Sequence, residues 1–189
     1  MTSQTSLTKR PSQAKCKQHL LKTSLRMWMP LAHKQTQSTS AGVFSAARNS
    51  EERSSKEGRV RYFVIKSFNQ ENIDIAVDIG GWSTTNDVAY RLDEAFHSGA
   101  EVRLFFSVNG SGTFSGYAVM KTAAGRFPGP PILWSNNKPF GQSFVIEWKC
   151  LYNLPYSAIE HLRNPYNEDK VVYHARGGQE LPCSVGDEM

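Results

Sequence analysis

Two tryptophans, an asparagine and two basic residues have settings that suit binding chemistry. Trp82 follows Gly80-Gly81 directly, and Trp134 closes an Ile132-Leu133-Trp134 run within a stretch rich in glycine, proline and asparagine. Loops held by a rigid scaffold carry function more often than the elements they join, and an indole offers a flat face to a planar ligand. Tryptophan is also highly buried on average, so core packing is the alternative reading of both. Trp148 is the contrast: it alternates with Phe144 and Ile146 and reads as core. Asn72 falls in the first turn of an expected helix, where an amide is ordinarily a solvated side chain. Such an amide can both donate and accept a hydrogen bond at neutral pH. Lys66 and Arg176, each taken alone, read as solvated surface charges.

The same residue types argue against other chemistries. No Ser/His/Asp, Cys/His or paired-carboxylate arrangement stands out by its spacing, so no catalytic residue is expected. Cys16, Cys150 and Cys183 are odd in number and widely spaced, which makes neither a disulfide framework nor a zinc site. No metal or cofactor is expected. The glycine-rich segment 110–116 (GSGTFSG) lies between two strand patterns and lacks the following helix of a phosphate loop. Asn109-Gly110-Ser111 is a glycosylation sequon, but nothing else indicates secretion. No apolar run approaches the length of a membrane span.

The elements that must position these residues can be read from period and turn signals. Residues 62–65 are an aromatic and β-branched strand run. Segment 67–79 is an expected helix, with Ile73, Ala76, Val77 and Gly80 on one face. Ser67 with Gln70 makes a capping box, Asn69 is a competing cap, and Gly80-Gly81 stops the helix. A second helix starts at Thr85 or Asn86 and buries Val88, Leu92, Ala95, Phe96 and Gly99. A strand over 101–108 sets Val102, Leu104, Phe106 and Val108 against Arg103, Phe105 and Ser107. Asn109-Gly110 signals a tight turn, and the chain returns over 113–121. Residues 123–141 form a long loop. Segment 143–150 is a strand, 154–162 holds one helical turn, and 171–174 is an edge strand. Strands with a few helices and no regular alternation give an α+β fold.

Composition places the charge. The chain has 189 residues, 39% hydrophobic, and a net charge of +5. Residues 1–58 hold ten of the 22 lysines and arginines and three of the 17 acids, a net of +7. The rest holds twelve basic and fourteen acidic residues, a net of −2. Residues 1–58 therefore read as a disordered basic arm and linker, and 59–189 as one folded domain that would meet nucleic acid through a local patch. The acid-free segment 1–50 also has the composition of an organellar transit peptide, and 22–31 could form a short amphipathic helix.

Several ordered motifs carry a family resemblance. Residues 66–72 (KSFNQEN) followed by 80–84 (GGWST) resemble the opening of a YTH domain, a reader of N6-methyladenosine in RNA. Further matches are 92–96 (LDEAF), 106–108 (FSV), 114–118 (FSGYA), Trp134, 144–148 (FVIEW), 162–168 (LRNPYNE) and 176–180 (RGGQE). The wording is most similar to nuclear-type readers and to the YTH segment of a plant polyadenylation factor.

The resemblance implies an open, curved mixed sheet or partial barrel with helices packed on it, and a monomer. It implies single-stranded RNA containing N6-methyladenosine as the partner, binding without chemistry, and a nuclear role in mRNA processing. Trp82 and Trp134 correspond to two walls of an aromatic cage, and Phe140 to the third. Asn72 corresponds to the donor to N1 of the base, and the Ser83 backbone carbonyl to the acceptor for the methylated amine. The backbone N–H near Phe68, after Ser67, meets the far side of the base. Lys66 and Arg176 correspond to phosphate contacts. Tyr173 stands where some relatives have lysine, and Lys121 and Arg126 are substitutes without a motif. Relatives continue past the position of Gly186 into an amphipathic helix, so a C-terminal helix is expected to be truncated and its apolar face uncovered. The competing functions are an RNA-binding domain that takes unmethylated RNA through another surface, a peptide-binding module, and an enzyme acting on modified nucleotides.

Overall fold

The computed structural model describes residues 59–189. The expected basic arm, the 22–31 helix and the transit-peptide alternative lie outside the described residues.

In chain order the elements are β1 (Val60–Ser67), α1 (Gln70–Ile79), β2 (Gly81–Thr84), α2 (Asn86–His97), β3 (Glu101–Val108), β4 (Thr113–Met120) and β5 (Gln142–Pro155). Shorter pieces follow: a 3-10 turn at Tyr156–Ile159, β6 (Arg163–Asn164), a turn at Pro165–Asn167, β7 (Lys170–Val171), a turn at Val172–His174, β8 (Gln179–Leu181) and α3 (Cys183–Gly186). Six strands form one sheet in the order β2-β5-β4-β3-β1-β8, and β6 pairs with β7. Only β1 and β3 run parallel in the large sheet. The sheet is mixed and open, with β2 and β8 at its edges, as the α+β reading expected.

Both faces of the sheet are covered. On one face Phe63, Ile65, Leu104, Phe106 and Trp148 pack under α1 and α2. On the other, Tyr62, Val64, Phe105 and Phe114 pack with Ile159, Val172 and Val185 from the C-terminal turns. This second core explains a departure from the expected pattern in β3. Phe105 and Ser107, which alternate with the Val102, Leu104, Phe106 and Val108 set, are also buried, at 6% and 0% exposure. Alternation along a strand reports one face at a time; it cannot say that weakly patterned turns will cover the other.

The apolar surface expected to lie bare at the C-terminus is covered. Gly186 sits flat on the Tyr62 ring, where a Cβ would stand 2.2 Å from Cγ. Leu181 is 2% exposed, and Met189 packs against the same cluster. Arg61 ties β1 to β8 through two hydrogen bonds to Glu180, at 2.7 and 2.8 Å.

Asn69, and not Ser67, caps α1: its side chain accepts from the Asn72 N–H at 3.0 Å. The Ser67 hydroxyl instead donates to the Asn69 carbonyl, so the capping box does not form. Gly80 ends the helix in the left-handed conformation, φ 64°. Thr85 is the cap position of α2, without a side-chain bond; the buried residues of that helix are Ala89, Leu92 and Ala95, while Gly99 is exposed. The tight turn is a four-residue connection, with Gly110 and Gly112 both at positive φ. Segment 171–174 is mostly a 3-10 turn, not an edge strand, because Lys170 and Val171 alone find a partner.

Trp148 is the test of this packing. It is 8% exposed, its ring lies 4.6 Å from that of Phe106, and its indole N–H donates to the Ala76 carbonyl at 3.3 Å. Trp148→Ala is expected to cost about 3–5 kcal/mol of stability, measured as a lowered melting temperature and denaturant midpoint. A variant as stable as the parent would remove Trp148 from the core.

Candidate RNA-binding site

The site begins at the edge of the sheet. β2 pairs antiparallel with β5, with Trp82 opposite Phe144 and Ser83 opposite Ser143. The Ile146 N–H donates to the Gly80 carbonyl at 2.9 Å. That makes the Gly80–Ile146 pair hydrogen-bonded, and every second pair along the ladder with it. Trp82 therefore spends its backbone groups on β5. Ser83 is a non-hydrogen-bonded pair, so its N–H and C=O point out from the open edge of the sheet. Its hydroxyl lies on the opposite strand's Ser143 hydroxyl at 2.9 Å.

Trp82 points into the protein. Its ring meets Phe106 at 5.0 Å and Trp134 at 4.9 Å, the latter at an interplanar angle of 62°. The two indoles thus touch and form a corner. The contact leaves no gap between the rings for a planar ligand. Both tryptophans are largely buried, at 5% and 7% exposure, and share the core cluster of Trp148. The loop and core readings of Trp82 are therefore not alternatives. It lies on a strand, not in a loop, and serves core and pocket with different parts of one ring system.

The long loop, 121–141, delivers Trp134 to that corner. Phe127 and Ile132 close over Gly81, where a Cβ would lie 2.5 Å from the Phe127 ring. Beyond Trp134 the chain turns back at once: Asn137 N–H donates to the Trp134 carbonyl at 2.7 Å, and Trp134 N–H to the Lys138 carbonyl at 3.2 Å. Gly141, at φ 49°, then lies against the end of β2, where a Cβ would be 1.9 Å from the Thr84 carbonyl oxygen. This close approach holds the adjacent Phe140 at the pocket, 51% exposed and without a ring contact to either tryptophan.

The start of α1 is fastened to the same loop. Asn69 donates from its amide to the Ser135 hydroxyl at 2.8 Å. The Ser135 N–H donates to Asn72 Oδ1 at 3.0 Å. A backbone N–H can only donate, so this contact settles which end of the Asn72 amide is oxygen. The Nδ2 group has no hydrogen-bond partner among the described residues and remains a free donor at the pocket wall. Trp134 Nε1 is the single buried side-chain nitrogen or oxygen among the described residues without a partner.

Together these groups line a pocket of about 630 Å³, a size within the usual range of ligand sites, ~300–1,000 Å³. Of the sequence-derived site residues, Trp82, Trp134, Phe140, Asn72, Ser83, Phe68 and Lys66 line it. Ser67 does not; it is 1% exposed and supports the turn into α1. Arg176 is exposed beside the pocket-lining Gly177, with no ion pair among the described residues. Lys66 is more constrained than a surface lysine. Its ammonium lies 3.4 Å from the Ser107 hydroxyl, 3.4 Å from the Tyr156 hydroxyl and 3.2 Å from the Tyr173 carbonyl. Tyr173 thus fixes a neighbouring charge through its backbone.

Two suggested substitutes do not reach the pocket. Lys121 pairs with Glu147 at 3.4 Å; Lys149 and then Lys121 hold that carboxylate below its ordinary range. Arg126 is exposed and lies outside the lining. Sequence reasoning missed Lys138, an exposed lining residue, together with Ser135 and Asn109. Lys138 sits between the two named aromatics Trp134 and Phe140, and that spacing was the available signal.

Comparison with known proteins agrees with this geometry. The family model described as "YT521-B-like domain" (YTH) matches residues 60–189. A rice protein, zinc finger CCCH domain-containing protein 45, is 37% identical over 136 residues, covering 70% of this chain and 20% of its own. The Arabidopsis thaliana 30-kDa cleavage and polyadenylation specificity factor 30 is 38% identical, covering 70% of this chain and 21% of its own. The chain thus spans about a fifth of the length of these relatives. The YTH domain of the Zygosaccharomyces rouxii MRB1 protein, solved in complex with N6-methyladenosine RNA, superposes with a TM-score of 0.62 at 32% identity, covering 67% of this chain and 82% of that one. The Toxoplasma CPSF4 YTH domain, solved with an m6A-modified RNA, gives a TM-score of 0.63 at 29% identity, covering 68% and 87%. A pocket cornered by two tryptophans at a sheet edge, a family-model match along the whole described domain and these structural likenesses lead to one conclusion: the chain belongs to the YTH domain family.

Proposed function

We propose that residues 59–189 bind single-stranded RNA by taking the base of N6-methyladenosine into the Trp82–Trp134 pocket, without chemistry. The observation that carries this reading is the amide of Asn72. Ser135 holds its oxygen, leaving Nδ2 as a donor at the pocket wall, and N1 of adenine is an acceptor. The Ser83 carbonyl, free at the sheet edge, suits the one remaining proton of a methylated amine. Phe68 presents its backbone N–H to the far side of the base, and Phe140 closes the cage opposite the indole corner.

The energetics suit a neutral ligand. N6-methyladenine carries no charge, so stacking and burial dominate over cation–π attraction. Stacking contributes roughly 1–3 kcal/mol per base, and burying the methyl adds on the order of 0.8 kcal/mol. The base must leave its helical stack to enter, which selects single-stranded RNA. Arg176, Lys66 and Lys138 supply the positive rim, and the basic segment 1–58 adds sequence-independent attraction to phosphate. Relatives that include a polyadenylation factor support a role in mRNA processing in the nucleus.

The cage is tested by removing its walls. Phe140→Ala and Trp134→Ala should each weaken binding to methylated RNA by roughly 1–3 kcal/mol, about tenfold to over a hundredfold, and affect unmethylated RNA far less. Trp82 and Trp134 also belong to the core, so thermal melts must accompany the isotherms; the half-exposed Phe140 is the variant that spares the fold. Folded variants that keep the parental ratio between the two RNAs would refute the cage.

Asn72→Asp tests the donor. One carboxylate oxygen can still accept from Ser135, but the other offers N1 no proton near neutral pH. Binding should fall modestly at pH 7 and partly recover as pH drops toward the carboxylate range of about 4. Affinity that is unchanged at every pH would mean that Asn72 does not touch the base.

Deleting residues 1–58 should weaken total RNA affinity at low salt and leave the preference for methylated RNA intact, because phosphate attraction is screened and pocket discrimination is not. Loss of the preference in a folded truncation would place recognition in the arm.

A further inference from the structure

Phe68 is the most exposed large apolar side chain among the described residues, at 82%. Isolated exposed apolar residues are common and need no explanation. Three observations set this one apart. It lines the mouth of the pocket, beside Asn72. It makes no aromatic contact with the described residues, although the chain around it is rich in such pairs. Its backbone is also held firmly on both sides: Ser67 is buried and bonds across it to the Asn69 carbonyl at 2.8 Å, while Asn69 caps α1 and grips Ser135. A flat ring is thus displayed toward solvent from a fixed stretch of backbone.

Its neighbours add polarity suited to a nucleotide. The Asn109 N–H donates to the Ser67 carbonyl at 3.0 Å, which brings an exposed amide side chain, unpartnered among the described residues, next to Phe68. Lys138 is exposed on the loop at the same pocket, without an ion pair among the described residues. An aromatic face, an amide and a cation at the rim of a base pocket match what the next unit of an RNA strand presents: a base face, a base edge and a phosphate.

We propose that the Phe68 side chain is a stacking platform for the nucleobase adjacent to the one in the pocket, with Lys138 facing the connecting phosphate. This rests on the RNA-binding reading above. It concerns the Phe68 ring, whereas that reading uses only the Phe68 backbone. Stacking on a ring of two rotatable bonds loses little side-chain freedom. Because every base has a π-face, the subsite adds affinity with little sequence preference.

The experiment separates nucleoside from oligonucleotide. Phe68→Ala should leave the melting temperature unchanged and lower affinity for a short methylated RNA roughly fivefold to a hundredfold, well beyond any change it causes for the free N6-methyladenosine nucleoside. Removing one neighbouring base, with abasic RNAs made on the 5′ and the 3′ side in turn, should weaken the parent protein similarly for one of the two. On that RNA, Phe68→Ala should cause little further loss. Phe68→Trp should retain oligonucleotide binding. The proposal is overturned if Phe68→Ala binds the intact RNA as tightly as the parent does, or if neither abasic RNA weakens the parent. Failure of the pocket reading looks different: the parent protein itself would show no binding to the methylated nucleoside and no preference for methylated RNA.

Discussion

The antiparallel pairing of the four-residue strand β2 with β5 is the constraint on which the site depends. Successive side chains of a strand point to opposite faces, and successive backbone pairs alternate between bonded and unbonded. The single register that puts Trp82 opposite Phe144 therefore decides two things together. It aims the indole at Phe106 and Trp134, and it turns the Ser83 carbonyl outward from the sheet edge. A shift by one residue would reverse both. Two glycines secure the arrangement: Gly81 leaves room for Phe127 and Ile132, and Gly141 lets the start of β5 lie against the Thr84 carbonyl. An unpaired sheet edge is ordinarily a liability; here the edge strand β2 is buried and part of it is a wall of the pocket.

The pocket is not separable from the core. Trp82 bridges Phe106 on one side and Trp134 on the other, and all three belong to one cluster with Trp148. Close packing holds these rings in place before any ligand arrives, which limits the ordering cost of binding. The polar side is pre-arranged by a different route. Two hydrogen bonds, from Asn69 to Ser135 and from Ser135 to Asn72, join the first turn of α1 to the long loop, and the cap bond between Asn72 and Asn69 closes the triangle. The loop that carries Trp134 is thus anchored apolar at Phe127 and Ile132 and polar at Ser135, with the aromatic wall between the anchors.

Charge is economical. The folded part carries a net of −2, and much of its basicity is committed: Arg61 to Glu180, Arg103 to Glu101, Lys149 to Glu147 and Lys170 to Glu168. The cations left at the pocket are Lys138 and Arg176, together with Lys66, whose ammonium is held over the Phe114 and Tyr156 rings at 5.7 Å from each centroid. Such a surface offers phosphate at most a local foothold beside the pocket.

The amino-acid sequence by itself determined the types of the longer elements, the α+β class and the family. The period of α1 and the Gly80 stop are local effects, and so are the strand patterns of β3, β4 and β5; local effects survive without coordinates. The ordered motifs also named seven of the residues that line the pocket. Tertiary structure decided what depends on contacts between distant segments. It chose Asn69 over Ser67 as the cap, because Ser67 was needed in the turn and Asn69 could also reach Ser135, 66 positions away. It buried Phe105 and Ser107 by folding weakly patterned C-terminal turns over the second face of the sheet. It showed that Trp82 is core and wall at once, a distinction that residue type cannot make because one indole has two faces and several edges. It brought Lys138 to the pocket: its place between Trp134 and Phe140 was a hint, but only the closed loop puts it at the lining. And it oriented the Asn72 amide, because only a backbone N–H arriving from the far loop could say which end of that amide is the donor.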